Sequence, residues 1–269
     1  MQSHGGVLNM IHAFKRGKIG SGIIMLLTLV IAVLIWVRDR NYPLVVPVIA
    51  TALTVALGVV VSQLVGNILA NSENTHYLGI LHMELNPDQF LRHYDHVPQQ
   101  VKGANTAAVC RSYLADGYAA DGQYEKAIEL LRIAPPADNL AIRGLYAANL
   151  AGCYLALEQT EAAEAALLEL NQIIDASRAN KADLAKNLTD MQKLHKQHLN
   201  CLRGSKVDLE WLEDAYDRAQ YNLRRLEVAK VAAMTAIRDG NTQMKHKYLT
   251  YLRKNGGLTA YKRWADQQN

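Results

Sequence analysis

The sequence predicts an all-α chain, with two transmembrane helices followed by a series of short antiparallel helices. Three observations carry this. Two long apolar stretches without ionisable side chains lie near the N-terminus. Beyond them, long segments are rich in Ala, Leu, Glu, Gln and Lys and lack strand signals. Turn-forming groups punctuate those segments at Asp121-Gly122, Pro135-Pro136, Gly204-Ser205, Asp239-Gly240-Asn241 and Gly256-Gly257. The expected parts are a basic N-terminal segment (1–18), a transmembrane hairpin (19–70), a connecting helical segment (71–100) and a helical domain (101–269).

The first span, 19–37, is IGSGIIMLLTLVIAVLIWV, and the second covers 44–70. Each exceeds the roughly 18 apolar residues that a bilayer crossing needs. A second span after so short a link argues against a cleaved signal peptide. Pro43 and Pro47 fall at the start of the second helix, where a missing N–H costs little. Trp36 and Tyr42 suit an interfacial belt. In the second span Ala50, Thr54, Gly58, Ser62, Gly66 and Ala70 recur every four residues, forming a ridge of small side chains. Such a ridge lets helix backbones approach in lipid. The first span answers with Thr28 and Ala32. Gln63 and Asn67 lie beside the ridge. As amides near the end of the span they are expected to bond each other, backbone or interfacial water, with a homo-oligomer contact as the other use.

Two spans put both chain ends on one side. Lys15, Arg16 and Lys18 precede the first span, against Arg38 and Arg40 in the link, which favours cytoplasmic termini. Three scattered cysteines, Cys110, Cys153 and Cys201, do not form a disulfide framework and agree with that side. The compact anchor and the lack of a transit-type leader point to a bacterial inner or single membrane. The net charge of +4 comes from the first 70 residues, which hold five basic side chains and one acidic. The rest is neutral but polarised: 71–175 carries 14 acids and 6 bases, and 176–269 carries 10 acids and 18 bases. That asymmetry bears on partners rather than on fold.

After the spans, Asn86-Pro87-Asp88 reads as a helix start, with Asn as cap and Pro at the first helical position. This helix should stop before Val97-Pro98. From residue 101 large and small residues alternate at helical spacing. Leu114-Ala115-x-x-Tyr118 is followed by Gly122, Tyr124, Ala127 and Leu131. Leu150-Ala151-x-x-Tyr154, then Ala163 and Leu167, repeats the pattern 36 residues later. A worn third copy runs from Ala232-Ala233-x-x-Ala236 through Gly240 to Leu249. Self-similarity at a fixed period marks units that bury their apolar faces by stacking on one another.

These residues resemble the motif of the tetratricopeptide repeat family. The first copy has Ala115 for the motif's glycine and Leu131 for its aromatic, and Pro135 comes early, shortening the second helix. In the second copy Glu158 replaces the turn glycine and no closing proline follows. In the third, Lys245 stands where a small residue belongs. The resemblance implies a tetratricopeptide-like α-solenoid of helical hairpins. It also implies a groove for an unidentified protein or peptide partner, lined mainly by first helices; Asn105, Arg111, Arg143, Tyr146 and Asn149 are the candidates.

No HExxH, CxxC, Walker, GxGxxG or nucleophile-elbow pattern occurs. No catalytic residue, cofactor or metal is expected, and the chain is read as a membrane-anchored scaffold rather than an enzyme. Two clusters were weighed as metal sites: His195, His198 and Cys201 in LHKQHLNC, and His82, His93 and His96 with Glu84 and Asp95. Histidines half-buried in polar helices explain both more simply. The segment 224–264 holds ten Lys/Arg interleaved with Tyr248, Tyr251, Tyr261 and Trp264. It suggests binding to anionic lipid, less so to nucleic acid, with self-packing as the plainer reading.

Overall fold

The computed structural model describes residues Met10–Gln268. In chain order the helices are α1 (Lys15–Arg38), α2 (Val45–His82), α3 (Pro87–Tyr94), α4 (Val97–Gln100), α5 (Ala104–Ala120), α6 (Tyr124–Arg132) and α7 (Leu140–Ala156). They continue with α8 (Thr160–Arg178), α9 (Ala182–Leu202), α10 (Leu209–Arg218), α11 (Asn222–Arg238), α12 (Thr242–Asn255) and α13 (Ala260–Asp266). The described residues contain no strand. They divide into two compact units, one of residues up to His76 with His96–Ala107, the other of Tyr77–Asp95 with Ala108 onward.

In the first unit α1 and α2 are both long and apolar enough to cross a membrane. At 24 residues α1 is about 36 Å long. Both present rows of large apolar side chains outward, from Ile19 to Val37 and from Leu44 to Ile68. α1 begins at Lys15, ahead of the expected span, and α2 continues past residue 70 to His82. The part of the basic segment before Met10 lies outside the described residues.

The two helices meet along the small-residue ridge. A Cβ added to Gly58 would lie 2.2 Å from Thr28 Oγ1, and one added to Gly17 would lie 2.9 Å from Ala70 Cβ. Ser21 and Ser62 share a hydrogen bond of 2.6 Å, and Ser62 Oγ also approaches the Ser21 carbonyl at 3.1 Å. At Gly66 an added Cβ would meet the Ser21 side chain at 3.1 Å. α1 therefore answers the ridge with Gly17 and Ser21 as well as Thr28 and Ala32. Thr28 and Thr54 turn their hydroxyls onto their own helix, donating to the carbonyls of Ile24 and Ala50. Asn67 accepts the Met10 N–H at 3.3 Å, and its carbonyl accepts from Asn71. Gln63 is exposed and off the ridge, while Asn67 takes backbone, one of its expected partners, rather than Gln63.

The second unit is built from hairpins. Asn86 caps α3 by accepting the Gln89 N–H at 3.0 Å, with Pro87 in the first turn. Helix α5 is 17 residues, as are α7 and α11. Each is followed by a three-residue turn and a second helix. A core of Ala108, Ala115, Ala127, Ile128, Leu131, Ile142, Tyr146 and Cys153 lies between α5, α6 and α7. A second core joins α7, α8 and α9 through residues such as Ala151, Leu155, Leu167, Leu170, Ile173 and Leu188. Each helix pair thus buries its apolar face partly against the helix that follows. The three free cysteines are buried.

The turns share one chemistry. After α5, Gly122 (φ +80°) donates its N–H to Ala119 O, and Gln123 donates to Tyr118 O at 2.8 Å. After α7, Glu158 (φ +57°) and Gln159 make the same pair to Leu155 O and Tyr154 O. Gly204 and Ser205 repeat it after α9, and Gly240 and Asn241 after α11. This is the left-handed cap that glycine accepts without strain. The caps at 122 and 158 are 36 residues apart, as are those at 204 and 240. The cap at Gly204 belongs to a hairpin that the repeated pattern did not include.

Candidate functional site

Within the second unit the first helices form a row. α5 and α7 are joined by hydrogen bonds, α9 packs on α7 and on α11, and α11 packs on α13. Their apolar faces are taken up by the cores, which leaves on the same helices a polar face, here called the inner face. Asn149 of α7 donates to Ser112 Oγ at 3.1 Å and to the Asp116 carboxylate of α5. On α11, Arg224 pairs with Glu227 at 2.8 Å and also donates to Asp190 O. His195 of α9 lies over Gly152, where an added Cβ would come within 3.1 Å of its ring.

Asp116, His195, Arg224, Glu227, Lys230 and Tyr261 keep part of their surface open to solvent. Protein nevertheless surrounds several of them closely enough to change their chemistry. Burial, helped by the neighbouring Glu227, holds the Asp116 carboxyl well above the usual carboxylate range. Burial pulls His195 down to about 3, with Arg224 adding to the effect, so the ring is neutral at physiological pH. His198 is likewise lowered to about 3 by burial, then by Lys230 and His195. Lys230 is lowered to about 8 by burial, which Glu158 partly offsets. Its ammonium lies 5.6 Å from the Trp264 ring centre and 6.0 Å from that of Tyr261, within cation–π range.

The five groove candidates separate. Asn149 faces this interior. Tyr146 is 2% exposed and belongs to a core, its hydroxyl donating to Ala108 O and accepting from Arg111 at 3.2 Å; it cannot line an open groove. Arg143 turns toward Glu169 of α8, 3.7 Å away. Asn105 is exposed in the first turn of α5, a part of that helix that belongs to the first unit. The reason is register: on a helix packed on two sides, a one-residue step moves a side chain by about 100°. Asp116, which sequence reasoning passed over, is the acidic residue that does face inward. Its signal was a lone Asp on the otherwise small and apolar helix of LADGYAA.

The weighed clusters resolve similarly. His198 and Cys201 are buried in α9, and His195 lies over α7. His82 lies tilted against Tyr221, with ring centres 5.9 Å apart, whereas His93 stacks on Tyr77 at 5.1 Å. Among the described residues no three His, Cys, Asp or Glu side chains come together to hold a metal ion. In the basic segment, guanidinium groups are directed to backbone carbonyls: Arg225 to Tyr216 and Ala219, Arg238 to Asn200, Cys201 and Ser205, Arg253 to Ala265. Lys247 pairs with Glu213 at 3.1 Å. Much of this segment's charge thus satisfies helix ends inside the unit.

Compared with protein families, with characterised proteins and with solved structures, the chain finds no match.

Proposed function

We propose that this chain is a membrane-anchored scaffold. Its tetratricopeptide-like hairpins hold a segment of a partner protein against the polar inner face of α5, α7, α9 and α11. The observation that carries the reading is that face itself. Asn149, Asp116, His195, Arg224 and Lys230 are gathered on successive first helices, while the apolar faces are occupied by the cores. Repeat arrays stack their units into extended concave surfaces that bind partners. The recurring left-handed caps, 36 residues apart in each pair, support a repeat origin for the array. The apolar α1–α2 hairpin serves as the anchor, with both termini on the cytoplasmic side by the three-to-two balance of flanking bases. Catalysis is not part of the proposal, since His198 is buried in the packing of α9.

The alternative of an anionic lipid or nucleic-acid surface on 224–264 is weakened by the arginines that already cap helix ends there. Homo-oligomerisation through the second span is weakened by α1, which occupies the small-residue ridge.

The test is site-specific photo-crosslinking in native membranes. A crosslinker replacing Asn149 should give a discrete protein adduct. One replacing Leu168, which is exposed on α8, should not. Equal labelling from the two positions, or none from Asn149, would overturn the scaffold reading.

A further inference from the structure

The last helix returns to the first hairpin. Arg263 of α13 donates to the Asp121 carbonyl and approaches the Asp121 carboxylate at 3.5 Å, in the turn that closes α5. A Cβ added to Gly122 would lie 3.1 Å from Ala260 Cβ. Before α13, the Leu258 N–H donates to Leu85 O at 2.9 Å, and Gly257 sits at φ +56° with no room for a side chain against Leu85. From the last hairpin, Arg253 of α12 donates to Ala265 O at 2.9 Å. Between these attachments the half-buried Tyr261 of α13 reaches α11, its ring centre 6.0 Å from the Lys230 ammonium. Tyr261 and Trp264 are three residues apart, on one helix face, with Lys230 beneath both.

α13 is only seven residues long, below the length at which an isolated helix is stable in water. Its conformation therefore depends on the bed beneath it. That bed is built by the α5–α6 turn, by α11 and by the preceding helix α12. The link from Gly256 to Thr259 is short and begins with two glycines.

We propose that the bed under α13 is a peptide-binding site that the chain fills with its own C-terminal helix. A partner of matching chemistry displaces it: a short helix with two aromatics three residues apart and an arginine between them, in the pattern of Tyr261, Arg263 and Trp264. This deepens the scaffold reading and rests on it, since it identifies the kind of segment the inner face holds and what keeps the face closed. The cis helix competes at an effective concentration on the order of millimolar, as for any short tether. A free peptide at micromolar concentration does not enter the wild-type chain.

The experiment uses the full chain in detergent and a labelled peptide of residues 256–268, GGLTAYKRWADQQ. Arg263→Glu places a carboxylate against Asp121 and loosens the cis helix. Peptide binding to this variant should be at least ~10-fold tighter than to wild type, the effect of losing one charge-assisted contact. A variant that keeps its helical circular dichroism but binds the peptide no better than wild type overturns the proposal. If Arg263→Glu fails to fold, a wild-type chain with a protease site inserted after Asn255 decides. Once it is cut, the released segment should stay bound and exchange with added peptide. A segment that leaves only when the chain unfolds, or that leaves at once and does not rebind, refutes the site.

Failure here differs from failure of the scaffold reading. Crosslinks from Asn149 without peptide binding leave the inner face in use but dismiss the bed. Peptide binding without crosslinks leaves a site with no partner in those membranes.

Discussion

Glu158 sits in the left-handed region at φ +57°, where Gly122 occupies the equivalent turn at φ +80°. The two turns make the same pair of backbone hydrogen bonds, so they differ in side chain rather than in geometry. A non-glycine residue in this conformation costs about 1–2 kcal/mol. Replacing it with glycine returns about 0.5–1 kcal/mol as unfolded-state entropy. Glu158→Gly should therefore stabilise the second unit by about 0.5–1 kcal/mol. Loss of the carboxylate that supports Lys230 trims the gain slightly. Glu158→Ala is the control, because it removes the charge and keeps the strain, and it should change little. Gly122→Ala should destabilise by about 1 kcal/mol. It introduces the strained conformation and also sets a Cβ 3.1 Å from Ala260. Urea titration in detergent, followed by helical circular dichroism, reads the midpoints of all four proteins. Equal midpoints for Glu158→Gly and Glu158→Ala would show that the turn at 158 carries no strain, and would refute the equivalence of the two caps.

Three further outcomes follow from particular side chains. His198 is 8% exposed with its pKa lowered to about 3, so its contribution to stability is complete above the ordinary value near 6.5 and is lost as pH falls toward 3. At pH 5 the loss is about 2 kcal/mol. Thermal stability should therefore fall between pH 7 and 5, and His198→Gln should reduce that slope, with His195 keeping its own share; a slope unchanged by the substitution would dismiss the buried neutral ring. Asp116 has a raised carboxyl pKa, so its burden on the fold is greatest at neutral pH and is relieved by acid. Asp116→Asn keeps an acceptor for Asn149 and should raise the unfolding temperature more at pH 7 than at pH 4. In the first unit, Ser21→Cys with Ser62→Cys should form a disulfide under mild oxidation, since the two hydroxyl oxygens lie 2.6 Å apart. Adding Gly58→Val should abolish it, because the new side chain would overlap Thr28, and persistent crosslinking would mean that the helices meet along another face.

The helical class, the two apolar helices and the breaks between the shorter helices were legible because each rests on local chemistry. Apolar run length, caps such as Asn86-Pro87 and turn glycines act within a few residues of themselves. The 36-residue offset between the first two hairpins was visible for the same reason: small and large residues keep one spacing in both. The matching cap at Gly204 was hidden, because the helices around it lack the Ala-x-x-Tyr pattern. The ridge in α2 was readable, but its full answer in α1 was not. Gly17 and Ser21 gain meaning only once two helices have met in a particular register.

The inner face depended still more on tertiary structure. Of the residues expected to line a groove, Tyr146 went to a core and Arg143 turned to α8, because rotation about a packed helix is set by both neighbours at once. The basic and aromatic segment looked like a surface for an external polyanion, and folding directed its arginines to the carbonyls of other helices. Charge along the chain is a property of the sequence. Which carbonyl, ring or carboxylate meets that charge is decided by contacts between residues far apart, such as Arg263 and Asp121, separated by 142 positions.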